Sequence, residues 1–506
     1  MYVNPNSTII LCKNVPLDNT YEHTIYFANA SAQATYFSGK GVVTLNAQTY
    51  QRVERGKMRV QVNAETIYTC NYLMFKNTAY GDKWFYAFIT GVEYVNDVTS
   101  EITFELDSLQ TYWFDIVRKP CYVEREHSAT DKIGENLLPE DIGEPELIVQ
   151  YHYPYHFVSW KVAIQVKPSK IGSILHQDDI VNFENNQIVP VTEYKSANSQ
   201  NDADAINQWA QQSARDNYEI TNAYMYPTIF DDYESIYIPV ITASDTHDVI
   251  RPTTYYDITT SSGTPLDTYV PKNKKLFTAP YTKLKVTTTM GDSADFLWEN
   301  TLDGRINFGL YFNKVNKASC DLRPLNYFQQ RNQRLNTLSI ESFPEVTLSQ
   351  YTGASLSNLL TMASRIGVAI ATGNAISAVS VGSEALTKLV TDNGTNTVGT
   401  SDNNLDLKYD TFGYDFYVMG IRAQDAEVID NYFSKYGYST KKVKVPNINV
   451  REHWTYTKTR GCVIIGNAPA DDIRKICSIF DNGITFWANA SEVGDYGDLT
   501  NPVLSV

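Results

Sequence analysis

The residues best equipped for chemistry in this 506-residue chain are a pair of histidines and several adjacent carboxylates. His152 and His156 lie four apart in YHYPYHF, the spacing at which a helix places two imidazoles on one face to share a metal ion. Pro154 between them breaks a helix, so the run reads as a tyrosine-rich turn and no metal ligands are assigned. Asp178/Asp179, Asp231/Asp232 and Asp471/Asp472 supply paired acids. A glycoside hydrolase needs two carboxyl groups about 5 to 9.5 Å apart across a sugar. Neighbouring acids are ordinary on solvated faces, however, and Asp471/Asp472 fit the first turn of a helix, where negative charge complements the macrodipole. No phosphate-binding GxxxxGK[ST] loop, GxSxG elbow, HExxH pair or dinucleotide-binding glycine pattern occurs. Cys12, Cys70, Cys121, Cys320, Cys462 and Cys477 form no CxxC pair, against a zinc ribbon or redox motif. The expectation is a protein without a catalytic centre, metal or cofactor, and not an enzyme.

A net charge of −15 and a pI near 5.0 exclude a protein that grips nucleic acid, because phosphate contacts need Lys and Arg. An acidic wall would instead let DNA slide past. Hydrophobic residues at 43% and aromatics at 13% specify a folded chain. The 36 Tyr against 21 Phe favour β structure with wet faces, as in many virion and extracellular proteins. The opening MYVNPNSTIILCKNVPLDN has neither a basic nor a sustained apolar region, so no signal peptide is expected. Six scattered cysteines fit buried thiols of a protein made in the cytosol.

The expected fold class is mainly β with α+β. Residues 1–127 read as a β domain, with strands at Met58–Val62, Trp84–Ile89 and Ile102–Leu106. In the last, Glu101, Thr103 and Glu105 alternate with apolar residues. Residues 128–156 read as a linker or arm. Residues 157–290 read as a β-rich insertion with a strand at Phe157–Val166 and a helix around Asp204–Asp216. That helix has Ile206, Trp209, Ala210 and Ser213 on one face. A β segment, 291–350, leads into an apolar loop and flexible linker, 351–404. In the α+β region 405–506 a strand at Thr411–Ile421 precedes a helix at Gln424–Tyr436, stopped by Gly437. Strands at Thr440–Val445 and Trp454–Ile465 follow. A second helix starts at Pro469 with Ile473, Ile476, Cys477 and Phe480 on one face, and Ile484–Trp487 is the last strand. The order is that of a split βαβ, ferredoxin-like fold.

Between Arg365 and Glu384 run eighteen uncharged residues, of which ten are Ile, Val or Ala and three are Gly. As a helix they would span roughly 27 Å, against ~30 Å for a bilayer core. Ile366, Gly367, Val368, Ile370, Ala371, Gly373, Ala375, Ile376, Val379 and Val381 are the residues expected to enter a membrane. Gly367, Ala371 and Ala375 recur every four residues, a pattern that permits close helix contact. The polar run 392–404 reads as a tether.

Three stretches near one end, Tyr72–Phe88 (YLMFKNTAYGDKWFYAF), Phe104–Asp115 (FELDSLQTYWFD) and Val123–His127 (VEREH), carry a family resemblance. Three near the other continue it in order: Tyr432–Tyr438 (YFSKYGY), Tyr456–Gly466 (YTKTRGCVIIG) and Ile479–Trp487 (IFDNGITFW). Together they resemble the tail-knob proteins, or distal tail-tube proteins, of small short-tailed phages of Gram-positive hosts, the picovirus-like podoviruses. The motif residues are Tyr80, Gly81, Lys83, Trp84, Phe85, Tyr436, Gly437, Asp481, Asn482, Gly483 and Trp487. The resemblance implies tail-tube-like β domains in a hexameric ring at the tail tip, joined to other tail proteins such as the collar or tail tube, with double-stranded DNA in transit and not specifically bound. It also implies an apolar loop, here about 356–390, that plugs the channel and on infection opens a path through the host cell membrane. This loop is shorter and more polar than a Gly- and Met-rich version. Two other readings stay open: a tail-tip cell-wall hydrolase using carboxylates of the middle region, and a polysaccharide-binding module stacking sugars on tyrosines such as Tyr151, Tyr153 and Tyr155.

Overall fold

The computed structural model describes residues 6–48, 56–143, 145–157, 160–168, 218–227, 241–257, 267–288, 291–301, 304–313, 319–328, 338–340, 345–347 and 413–505. They fall into two units. The first is Met1–Pro145, Thr259–Leu276 and Ala423–Val506, and the second is Glu146–Ile258 and Phe277–Arg422.

The first unit contains a six-stranded antiparallel sheet in the order Gly41–Gln48, Ser7–Cys12, Tyr72–Asn77, Phe85–Asn96, Thr99–Leu106, Lys57–Val60. Successive side chains of a strand point to opposite faces, and here both faces are covered. Ile9, Leu11, Leu73, Ala87 and Ile102 bury on one face in an aliphatic cluster with Met58 and Ile67. Ile10, Cys12, Tyr72, Met74, Tyr86 and Phe88 bury on the other, in a cluster with Phe37, Leu109, Ile476 and Phe480 from three helices. Double coverage is why STIILC and YLMF are nearly unbroken apolar runs. Local chemistry starts the helices on this face. The Asn29 side chain accepts from the amide of Ala32 at 2.8 Å to open Ala30–Gly39, and Asp107 accepts from that of Gln110 at 3.0 Å to open Ser108–Tyr112.

The same unit holds a five-stranded sheet in the order His23–Ile25, Ile484–Trp487, Trp454–Arg460, Cys121–Glu126, Tyr438–Lys444. Its first two strands run parallel and the others antiparallel. Helix Ala470–Asn482 buries Ile476, Ile479 and Phe480, and helix Ala423–Tyr436 buries Ile429 and Phe433. The N-terminal region 1–127 and the region from residue 423 onward therefore build one unit.

The types and order of the last elements match the sequence reading, but the split βαβ sheet does not form. Gly413–Ile421, read as its first strand, pairs with Leu147–His156 and Thr282–Thr288 in the second unit. Cys121–Glu126 lies between the two strands that were to be neighbours. Alternation marks a strand but carries no information about which distant strand completes its hydrogen bonds. Trp454–Ile465 is two strands, divided where Gly461 takes φ 68°, and the second, Ile464–Gly466, pairs with Ile116–Arg118. The end of the expected linker, Leu147–His156, is a ten-residue strand. Pro154 is tolerated there because the strand lies at a sheet edge.

That sheet of the second unit runs Leu147–His156, Gly413–Ile421, Thr282–Thr288, Ser293–Phe296. Tyr414, Phe416, Val418, Leu284, Val286 and Phe296 are buried in it. Further sheets join Ile241–Ile250, Arg305–Asn313, Ser319–Pro324 and Leu338–Ile340, and Trp160–Pro168, Tyr218–Pro227 and Glu345–Thr347. The expected helix at 204–216, the acids at 178–179 and 231–232, and the whole of 351–404 lie outside the described residues. Among the described residues no helix is long and apolar enough to cross a membrane.

Candidate functional site

The motif residues all lie in the first unit, in two groups. In the first group Gly81, at φ 70°, closes the turn Thr78–Tyr80, which leaves Tyr80 exposed with its ring 6.5 Å from that of Phe85. Phe85 stacks on Phe75 at 5.3 Å, and Trp84 packs under the ammonium of Lys76 at 5.0 Å. Lys83 pairs with Asp115 and stands 4.2 Å over the ring of Tyr112.

The second group secures the five-stranded sheet. Gly437, at φ 65°, ends its helix by donating to the carbonyl of Phe433 at 2.8 Å, and a Cβ there would lie 2.2 Å from the carbonyl oxygen of Glu126. Tyr436 packs 5.1 Å from both Tyr432 and Tyr456. Asp481 accepts from the hydroxyl of Thr459 at 2.7 Å and from the amides of Cys462 and Gly461 at 3.0 and 3.2 Å, holding the turn that divides the two strands. Asn482 is the last helical residue and Gly483 follows at φ 95°. Trp487 is fully buried, 5.2 Å from Trp454 and 5.1 Å from Tyr496. These residues specify packing and turns.

Four polar residues of the unit are held by dense hydrogen bonding, two of them, Asp107 and His127, inside the quoted stretches Phe104–Asp115 and Val123–His127 and two, Glu140 and Asp430, outside every one. Asp107 accepts from the hydroxyl of Tyr72 at 2.8 Å, and burial pushes its carboxyl up to about 6 against the pull of its hydrogen bonds. His127 accepts the amide of Tyr456 at Nδ1 (2.8 Å) and donates from Nε2 to the carbonyl of Ser434 (3.0 Å). Burial, aided by the positive charge of Arg451, pushes it down to about 3, so it is the neutral ring. Glu140, in the polar stretch read as an arm, is buried against Lys275 at 2.5 Å and Arg125, and accepts from the amide of Ser439 at 3.0 Å. Asp430 accepts from the hydroxyl of Tyr269 at 2.8 Å and from the amides of Lys272 and Asn273 at 2.6 and 3.1 Å. It fastens the 267–276 segment to helix Ala423–Tyr436. Single acids in polar runs leave no trace of this in sequence, because burial is decided by distant segments.

The residues first considered for chemistry sit elsewhere. His152 and His156 flank Pro154 on one strand face and both reach the carboxylate of Asp415, at 2.8 and 3.3 Å. Among the described residues no group of three or more His, Cys, Asp or Glu is arranged to hold a metal. Tyr151 packs on Tyr256 and Tyr155 on Phe157, while Tyr153 is exposed. Asp471 pairs with Arg474, and Asp472 accepts from the hydroxyl of Ser108 at 2.6 Å, tying the last helix to the N-terminal half. A cavity of about 170 Å³ is walled by Tyr26, Phe27, Trp113, Phe114, Arg118 and Ile448.

A β-rich scaffold whose motif residues build packing points to a structural protein, and comparison with known proteins places it among phage tail proteins. The model of the caudoviral major tail protein N-terminus matches residues 5–119. That of the C-terminal domain of the Bacillus phage phi29 tail knob protein gp9 matches 245–501, just over half of the chain. The chain belongs to this tail knob family and is a structural component of the virion's tail. It is 26% identical to the tail knob protein gp9 of Bacillus phage B103, over 96% of each chain, and 24% identical to that of phi29, over 97% of this chain and 98% of the relative. The solved tail knob protein gp12 of bacteriophage C1 shares the fold, with a TM-score of 0.59 at 14% identity over 99% of this chain and 100% of that one.

Proposed function

We propose that six copies of this chain form a ring at the tail tip, enclosing a channel through which double-stranded DNA leaves without specific binding. Residues 356–390 plug that channel and then enter the host membrane, and the ring joins the collar or tail tube above it. The observation that carries this is the full-length relationship to tail knob proteins in a chain with one uncharged apolar stretch, Ile366–Ser383. The net charge of −15 suits a channel that does not hold DNA. Each fully buried Ile or Val of the stretch would contribute roughly 1.5–3 kcal/mol to lipid transfer, offset by Asn374 and the serines. Several copies acting together supply what one cannot. Synthesis in the host cytoplasm fits the six cysteines, none of which is in a disulfide.

The test has two parts. Negative-stain electron microscopy of the purified chain should show six-fold rings with a closed centre. Deleting 356–390 should keep the rings, open their centres and abolish dye leakage from liposomes. Leakage at full strength from the deleted chain would remove the membrane role.

A further inference from the structure

Two surfaces of the first unit are each left incomplete, and they complement one another. The hairpin of strands Phe85–Asn96 and Thr99–Leu106 ends in Glu93–Val98, six consecutive exposed residues. Tyr94 is 61% exposed, Val95 42% and Val98 60%. The Tyr94 hydroxyl donates to Asp97 at 2.5 Å, which sets the ring on the turn. No cation pairs with Glu93 or Asp97 among the described residues. Glu93 instead faces Glu101, whose charge is already met by Arg59 at 3.0 Å and Lys57 at 3.7 Å. Exposed Tyr94, Val95 and Val98 beside two carboxylates make a surface suited to an aromatic, cationic partner.

The cavity of about 170 Å³ is such a partner. It is half open and its accessible lining is more polar than apolar, so its volume suits an aromatic side chain that carries a polar group, as tyrosine does. Tyr26, Phe27, Trp113 and Phe114 are among the residues that line it, the last 42% exposed. Arg118 stands 5.1 Å over Trp113, and its Nε is buried with no hydrogen-bond partner. No carboxylate pairs with it among the described residues. A buried donor left unsatisfied is destabilising, a penalty that an acidic ligand removes.

We propose that the hairpin tip of one copy inserts Tyr94 into this cavity of the next copy, with Glu93 or Asp97 meeting Arg118. Tip and cavity are different surfaces, so the contact is head-to-tail, the kind that closes into a ring when the rotation allows. Aromatic and arginine anchors in pockets are where interface energy concentrates. The inference rests on the ring reading above and names the contact that makes it.

The full-length chain is followed by mass photometry over a range of concentrations, with circular dichroism to confirm folding. The wild type should form six-subunit rings. Tyr94→Ala, on an exposed tip where folding is undisturbed, should raise the concentration needed for assembly at least about tenfold. Glu93→Arg with Asp97→Arg should abolish assembly, as should Arg118→Glu, and combining all three should restore it. Rings from Tyr94→Ala and from Glu93→Arg/Asp97→Arg at wild-type concentrations would overturn this contact and leave the ring standing. A wild type that stays monomeric at every concentration would overturn both.

Discussion

The two sheets of the first unit are built from opposite kinds of information. The six-stranded sheet uses only strands between Ser7 and Leu106, while the five-stranded sheet draws on His23–Ile25, Cys121–Glu126 and three strands beyond residue 437. The first is assembled from near neighbours in sequence. In the second, Glu126 pairs with Thr457 across more than three hundred residues. Their buried titratable groups also differ: Asp107 beside the first is a carboxyl shifted up, and His127 at the second an imidazole shifted down. A local sheet is specified by pattern, and a distant one must be locked by individual residues.

The largest effect should come from the lock. Trp487→Ala removes a fully buried ring between Trp454 and Tyr496 and should cost about 3–5 kcal/mol in urea unfolding. Leu73→Ala, in the aliphatic cluster of the local sheet, should cost about 2–5 kcal/mol. If the five-stranded sheet is the less locally determined, Trp487→Ala alone should also make 438–487 sensitive to limited proteolysis. Equal sensitivity in both variants would erase the distinction.

A matched pair of glycines sharpens the same point. Gly437 and Gly81 have nearly the same φ, 65° and 70°, but a Cβ at Gly437 meets the backbone oxygen of Glu126 at 2.2 Å whereas one at Gly81 meets nothing within 4 Å among the described residues. Gly81→Ala should cost only the left-handed penalty, about 1–2 kcal/mol. Gly437→Ala adds a backbone collision that strand Cys121–Glu126 must move to relieve, and should cost more. Thermal unfolding of the two variants gives the comparison.

The buried titratable groups predict pH responses of opposite sign. The carboxyl of Asp107 has its folded value raised, so its contribution is complete below about 4 and is lost as pH rises through about 6. His127 has its folded value lowered, so its contribution is complete above about 6.5 and is lost as pH falls toward about 3. Between pH 4 and 7 the stability difference between wild type and Asp107→Asn should fall with rising pH, and that between wild type and His127→Gln should rise, each by on the order of 1–3 kcal/mol. Two slopes of the same sign in chemical denaturation would contradict this. The smallest effect belongs to Lys83→Gln, whose partly exposed pair with Asp115 should contribute under ~1 kcal/mol and fade with salt.

Much of this was legible in sequence where structure is local. The strand through Ile102–Leu106, the helix stopped by Gly437 and the one opening after Pro469 are all in place, although Glu101, read on the wet face of that strand, is buried because both faces of the sheet are covered. The long motifs identify the family because they encode cores and turns, as Trp84, Phe85, Gly483 and Trp487 do. What escaped were partnerships. Gly413–Ile421 was recognised as a strand and assigned to the wrong sheet, and Pro154 concealed the strand around it. The carboxylates that hold segments down, Glu140 and Asp430, looked like any solvated acid.

The sequence by itself determined the β-rich class, the family, the helices near the C-terminus and the alternating pattern of core residues, because periodicity and turn chemistry act over a few residues. Only the tertiary structure decided that both ends of the chain share a sheet, and that Asp107 and His127 are buried. It also decided that the Nε of Arg118 has no hydrogen-bond partner among the described residues, beside a cavity lined in part by aromatic residues. Strand pairing, desolvation and charge neutralisation depend on which distant segments meet, and no local pattern records that.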